Sequence, residues 1–301
     1  MMLEKFKQKP LVAIQCITYN HEPYIRDALE GFVMQKTDFP FVAIVHDDAS
    51  TDKTADIIRE YAEKYPDIIK PIFETENQYS KKDGSLGRIM NDAISATGAK
   101  YIAMCEGDDY WTDPLKLQKQ VDFLESNNDY AMCYTQARIF YQQKQTISKN
   151  IYGKKYSGFT DLLKRNKIPT ASVVYRMKDY KMYLSEVKPQ IRGWKMGDYP
   201  LWLYFSIKSN IHCIESVTSI YRFLNQSASH VSNTVKQFEF GLNSYLIREW
   251  FSVNYNKGIL YVKFLKLAYI IKYYLEHDIT IKEIMYSINR TNKHPENSKG
   301  Y

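Results

Sequence analysis

The chain has 301 residues, 45% of them hydrophobic and 25% charged, which is the balance of a folded globular protein with a sizeable core. Its net charge of +7 suits handling of phosphate anions or contact with an anionic membrane surface. With no dense Lys/Arg stripe and no zinc-finger spacing, the charge does not support a nucleic-acid reader.

The first 140 residues alternate strand and helix signals. Leu11 to Ile17 is a near-continuous apolar run, the mark of a strand buried on both faces. Pro23 follows at a helix start, with Ile25, Ala28, Leu29 and Phe32 at helical spacing. Phe41 to Val45 predicts a second strand, and Ser50-Thr51 precede a helix over Lys53 to Tyr65. A third strand is expected at Ile68 to Phe73, a helix at Leu86 to Ala96 ended by Gly98, and a fourth strand at Tyr101 to Cys105. Asp113-Pro114 then opens a helix to about Glu125. Such alternation means a mostly parallel sheet with helices on both faces.

Beyond Tyr130 the pattern changes. Ala131 to Phe140 reads as a longer strand, Tyr141 to Lys155 as a polar loop, and Ala171 to Tyr175 as another strand. An irregular stretch runs to Gly197; Pro200 to Ile207 is apolar and helical, and Ile211 to Glu215 and Val217 to Tyr221 are short strands. From Phe238 onward the chain is helical, and Ile259 to Leu275 carries Lys263, Lys266 and Lys272 among apolar residues. The expected division is residues 1–235 as the main domain and 236–301 as a helical extension.

Four cysteines (Cys16, Cys105, Cys133 and Cys213) form no CxxC pair and read as buried thiols of a reducing compartment. The first residues, Met1 to Lys5, lack a signal-peptide stretch, and no window approaches the roughly 20 apolar residues of a membrane span. A cytoplasmic protein is expected. The 26 tyrosines suit surfaces that stack on sugars, bases or headgroups, and equally reflect AT-rich coding bias.

Two aspartate doublets, Asp47-Asp48 and Asp108-Asp109, each close an apolar strand-like run. Ligands of open α/β sheets bind at the carboxyl ends of strands, so two strands deliver paired carboxylates to one sheet edge. Like charges this close cost free energy unless a cation or hydrogen-bond donors offset them. The doublets therefore point to a divalent metal site that holds an anionic ligand; strand-end capping is the simpler alternative.

The strand ending in Thr18-Tyr19-Asn20, then Asp47-Asp48-Ala49-Ser50-Thr51-Asp52, then Glu106-Gly107-Asp108-Asp109 resemble, in order and spacing, the family 2 glycosyltransferases of GT-A fold. The resemblance covers roughly residues 10 to 230. It implies a GT-A-like, Rossmann-type sheet flanked by helices and an inverting, metal-dependent transfer from a nucleoside-diphosphate sugar, with UDP the expected nucleotide. The acceptor would be a hydroxyl of a glycan or lipid-linked carrier in bacterial surface polysaccharide synthesis. Nucleotide-sugar contacts carry onto Thr18, Tyr19, Asp47, Asp48, Arg88 and Asp108, with Asp109 and Asp108 as ligands of Mn²⁺ or Mg²⁺. Glu106 stands where the family usually has Asp and is a weaker candidate, as are Arg222 and His230 in Tyr221-Arg222-Phe223 through His230.

In Gly197-Asp198-Tyr199-Pro200-Leu201-Trp202, Asp198 occupies the position of the family's catalytic base, with Gly197 replacing the usual Glu. Asp198 also suits the N-cap of the following helix, and the two roles are compatible, since a helix N-terminus keeps a carboxylate ionised. The basic, tyrosine-rich helices after Phe238 suit peripheral docking at a membrane, or an amphipathic lid or dimer contact. Two other classes compete. A sugar-nucleotide nucleotidyltransferase wants a glycine-rich loop after the first strand, and Thr18 to Pro23 contains no glycine. A non-catalytic nucleotide-sugar-binding module would lack the base, which makes Asp198 the discriminating residue.

Overall fold

In the computed structural model, residues 9–224, 233–277 and 279–292 are described. They form two compact units. The first runs up to Lys155 and takes in Lys167–Met182 and Ser209–Phe223; the second comprises Tyr156–Asn166, Tyr183–Lys208 and the described residues from Leu224 on.

One nine-stranded sheet makes up the first unit. Strands β1 (Val12–Thr18), β2 (Phe41–Asp47), β3 (Ile69–Phe73) and β4 (Tyr101–Met104) lie in the order β3-β2-β1-β4, all parallel. Their connections are α1 (Ile25–Val33), α2 (Thr54–Lys64), a short α3 (Gln78–Lys81) and α4 (Ser85–Ala96). Val12, Ala13, Ile14 and Cys16 are all buried, as expected of a parallel strand covered on both faces. The remaining strands are β5 (Tyr110–Trp111), β6 (Tyr130–Tyr141), β7 (Thr146–Tyr152), β8 (Val173–Arg176) and β9 (Asn210–Phe223). Here the sheet becomes mixed: β8 is antiparallel to β4 and β6, β9 runs parallel to β6, and β5 and β7 are antiparallel additions. The mostly parallel expectation thus describes the first half of the sheet.

Helix α5 (Lys116–Ser126) starts two residues later than the Asp113-Pro114 signal: Leu115 is the N-cap, and Asp113 Oδ1 accepts from Leu115 N at 2.9 Å in the turn before it. The polar segment read as a loop at 141–155 contains β7: Ile147 and Ile151, though half exposed, pair with Phe140 and Arg138 of β6. The two short strands expected at 211–221 are one strand, β9, whose register against β6 shifts near Thr135 to Ala137. The Thr135 and Thr218 hydroxyls share a buried 2.6 Å bond beside that irregularity. Trp111 is the pin between helix and sheet. Its ring meets Phe32 of α1 edge-on at 5.1 Å, and its Nε1 donates to Ala171 O at 2.7 Å. Gly31 is needed there, because a Cβ would lie 2.9 Å from Trp111 N.

The second unit is helical. It contains α6 (Phe159–Lys164), α8 (Tyr199–Lys208), α9 (Thr234–Asn254), α10 (Ile259–Glu276) and α11 (Ile281–Asn292); α7 (Met177–Val187), in the stretch expected to be irregular, crosses from one unit to the other. A small core of Phe238, Leu242, Tyr273, Ile279 and Ile284 joins α9 to α11. Tyr199, buried at the start of α8, donates its hydroxyl to Leu162 O at 2.6 Å and accepts from Arg248 Nε at 2.8 Å. Among the described residues no helix is long and apolar enough to cross a membrane.

Candidate active site

Three loops meet at the carboxyl edge of β1, β2 and β4. Thr18, the last residue of β1, is in register with Asp47 of β2, and Asp48 N donates to Thr18 O at 3.0 Å. On the other side of β1, Gly107 N donates to Ile17 O at 3.0 Å, which lays the Glu106-Gly107-Asp108-Asp109 loop along the same strand end. Parallel pairing alone therefore brings the three segments together.

The first two loops bind each other. The amides of Asn20, His21 and Glu22 donate to Ser50 Oγ, Thr54 Oγ1 and Asp52 Oδ2 at 2.8, 2.9 and 3.0 Å. In return Asn20 Oδ1 accepts from Thr51 N at 2.8 Å and Glu22 Oε2 from Lys53 N at 3.1 Å. Asn20 and Ala49 adopt positive φ to make this fit. Burial opposes ionisation of Asp52, but bonds from the Thr54 hydroxyl and the Thr54 and Glu22 amides outweigh it and pull its pKa below the usual value.

Within the second loop, Asp47 is buried and bonded through Oδ1 to the Ser50 hydroxyl. Burial pushes its pKa up, an effect the Ser50 bonds partly offset. Asp48, also buried, turns its carboxylate to the chain ahead: Oδ1 accepts from Gln78 N at 2.6 Å and Oδ2 from Tyr79 N at 3.0 Å. Both Asp48 oxygens thus hold the start of α3 while its backbone lines the loop. Tyr19 stands out, 43% exposed, beside buried Thr18.

In the third loop, Asp108 is half-buried and Glu106 exposed, whereas Asp109 is buried and accepts from Arg222 N at 2.8 Å through Oδ1. Burial, followed by repulsion from Asp108, holds the Asp109 carboxyl well above its ordinary pKa; Glu106 adds to the repulsion. Arg222 of β9 clamps the loop from behind. Nε donates to Asp108 O, Nη1 to Gln142 Oε1 and Nη2 to Asp27 Oδ2, at 2.8, 2.7 and 2.7 Å. Tyr24, Tyr110 and Phe140 surround the guanidinium. Arg222 is thereby committed to protein acceptors. No local sequence signal marks this clamp, which joins residues 80 to 195 positions apart.

Two buried polar atoms in this crevice, Thr18 Oγ1 and His21 Nδ1, have no hydrogen-bond partner. They face the backbone of Gly107, where a Cβ would stand 2.6 Å from Thr18 Oγ1 and 3.1 Å from His21 Nδ1. Burial lowers the His21 pKa, against the pull of Asp108 and Asp52. Two further expected residues have bonds of their own. Arg88 is exposed in the first turn of α4 and donates to Asp83 O at 2.7 Å. Asp198, in the second unit, precedes α8; its Oδ1 accepts from Tyr199 N at 2.7 Å and its carbonyl from Trp202 N at 3.1 Å. His230 lies outside the described residues.

The loop chemistry fits a hard divalent cation, since its side-chain donors are carboxylate oxygens whose mutual repulsion such an ion relieves. Among the described residues no three His, Cys, Asp or Glu side chains gather closely enough to hold a metal by themselves. A cation here would take its remaining oxygens from a bound ligand or water.

The family model described as glycosyl transferase family 2 matches residues 14–184, the span that contains all three loops. The chain belongs to this family. An uncharacterized protein of Mycobacterium tuberculosis is 38% identical over 216 residues, covering 70% of this chain and 58% of that protein; this chain thus spans little more than half the length of the first such relatives. A Bacillus subtilis protein provisionally named teichuronic acid biosynthesis glycosyltransferase TuaG is 28% identical over 222 residues, 73% of this chain and 82% of that one. Among solved structures, S. aureus TarS with UDP-GlcNAc matches with a TM-score of 0.63 at 15% identity, over 93% of this chain and 80% of that one. The mannosyltransferase PcManGT of Pyrobaculum calidifontis, bound to GDP-Man and Mn²⁺, matches at 0.56 and 15%, over 94% and 81%. These structures establish the GT-A fold, and the family assignment rests on the match over residues 14–184.

Proposed function

We propose that this family 2 enzyme transfers a sugar, with inversion, from a nucleoside-diphosphate sugar, UDP-linked, to a hydroxyl of a glycan or lipid-linked acceptor in bacterial surface polysaccharide synthesis. The observation that carries the reading is the convergence of the Thr18, Asp47-Asp48 and Asp108-Asp109 loops on one edge of three adjacent parallel strands. The UDP-GlcNAc, UDP and GDP-Man bound by its structural neighbours support a nucleotide-sugar donor, and TuaG's name supports a polysaccharide product.

Asp108, the half-exposed member of its doublet, would hold Mn²⁺ or Mg²⁺ together with Asp109, placing positive charge against the departing diphosphate. Exposed Tyr19 offers a ring face to the nucleotide, and Thr18 Oγ1 and His21 Nδ1 offer polar atoms that have no protein partner. Asp47 and Asp48 act through the loop geometry they fix. Asp198 would be the general base: it takes the proton of the acceptor hydroxyl, whose oxygen bonds to the anomeric carbon as the bond to the diphosphate oxygen breaks. The Tyr199 amide at the start of α8 donates to Asp198 Oδ1 and fixes the carboxylate's orientation. A nucleotidyltransferase is disfavoured on separate grounds, because the amides of residues 20–22 that would cradle a triphosphate are already bonded to Ser50, Thr54 and Asp52.

The test is release of UDP from UDP-sugars, with the anomeric configuration of the product followed by NMR. Asp198→Asn should lower turnover by roughly 10²–10⁴-fold with nucleotide affinity retained. Turnover at the wild-type rate in that variant, or retention of configuration, would contradict the proposal.

A further inference from the structure

Helix α10 is apolar on two opposite faces. Val262 and Tyr273 are buried on its inner side, where Tyr273 packs on Phe238 of α9 with ring centroids 5.2 Å apart. On the outer side, Leu260, Phe264, Leu267, Ile271, Tyr274 and Leu275 are between 44% and 83% exposed. Their spacing of mostly four and three residues aligns them in one stripe along the helix. A hollow lined by Tyr274, Ile281 and Lys282 carries the surface on to the start of α11. Scattered exposed apolar residues need no explanation, but a continuous stripe four turns long marks a surface that something covers.

Charge indicates what covers it. Helical geometry places Lys263 on one flank of the stripe and Lys272 on the other, both exposed, on a chain of net charge +7. Lys272 meets Glu276 at 3.7 Å, an exposed contact too screened to cancel its charge. An anionic lipid surface matches both features: apolar side chains enter the acyl boundary while the flanking lysines reach up to the headgroups.

We infer that the outer face of α10 docks the enzyme peripherally on an anionic lipid bilayer. The inference extends the proposed lipid-linked acceptor, which such docking would bring within reach, but does not depend on the chemistry of the site.

The test is co-sedimentation of the full chain with vesicles of phosphatidylcholine alone and of phosphatidylcholine with one-third phosphatidylglycerol. The chain should pellet with the anionic vesicles and at least about tenfold more weakly with the neutral ones. Phe264→Glu combined with Leu267→Glu should reduce anionic binding by at least about tenfold, and Lys263→Gln with Lys272→Gln severalfold. These side chains are exposed, so circular dichroism should match the wild type. Asp108→Asn should bind vesicles like the wild type, which separates failure of this inference from failure of the glycosyltransfer reading. Absence of pelleting, or pelleting unchanged by the glutamate pair, would overturn the inference. So would a dimer in analytical ultracentrifugation that the glutamate pair dissolves while vesicles go unbound.

Discussion

Lys116 is completely buried in α5, beneath the strand that follows the Asp108-Asp109 loop. Its ammonium lies 4.2 Å from the centroid of the Trp111 ring and donates to Gln120 Oε1 at 2.6 Å. Burial lowers its pKa from 10.5 to about 7, opposed by the weaker pull of Cys105, Cys133 and Asp113. In the unfolded chain the lysine keeps its proton until pH approaches 10.5, whereas the folded protein releases it near 7. The unfolded state therefore binds more protons across that window, and stability rises with pH through it. Below about pH 7 the full penalty applies, an upper bound of roughly 5 kcal/mol at 1.36 kcal/mol per pKa unit, reduced by attraction to the Trp111 ring. Lys116→Met keeps the chain length and removes the charge. It leaves Gln120 Oε1 without a donor, at a cost of about 1–3 kcal/mol that does not vary with pH. Urea denaturation of both proteins at pH 6, 7.5 and 9 should show the variant gaining most at pH 6 and least at pH 9. A stability difference independent of pH would refute the reasoning.

Other substitutions probe the loop cluster. Gly107→Ala drives a Cβ to within 2.6 Å of Thr18 Oγ1, so a loss of about 1–3 kcal/mol in urea denaturation and weaker nucleotide binding are expected; an unchanged protein would contradict the packing described. Arg222→Met strands the Asp108 carbonyl and Gln142, and should cost on the order of 2–3 kcal/mol, Asp27 being half in water. Arg222→Lys should not restore it, because one ammonium cannot reach three acceptors set around a planar fork; rescue by lysine would show that charge alone matters there.

The parallel half of the sheet was legible because Leu11 to Ile17, Phe41 to Val45 and Tyr101 to Cys105 are continuous apolar runs with helices between them, and each ended in a motif whose order and spacing pointed to the family. What the motif residues do for one another was not legible. Asn20, Ser50, Thr51 and Asp52 tie two loops together, and Asp48 holds residues 78–79, through bonds between residues about thirty positions apart that no local pattern encodes. Nothing in the local sequence marks Lys116 as buried; the packing of α5 against Trp111 does. Strand β7 escaped notice because its exposed, polar residues carry no apolar alternation; pairing with β6 rather than propensity makes it a strand.

The most direct test of the central claim is calorimetric binding of UDP, GDP, CDP and dTDP, each with and without Mn²⁺ or Mg²⁺, to the wild type and to Asp108→Asn. The account predicts that one nucleotide, UDP, binds, that binding requires the divalent ion, and that the isosteric amide abolishes it. Binding of all four that ignores the metal, or no binding at all, would contradict it and return the aspartate doublets to the role of strand-end caps.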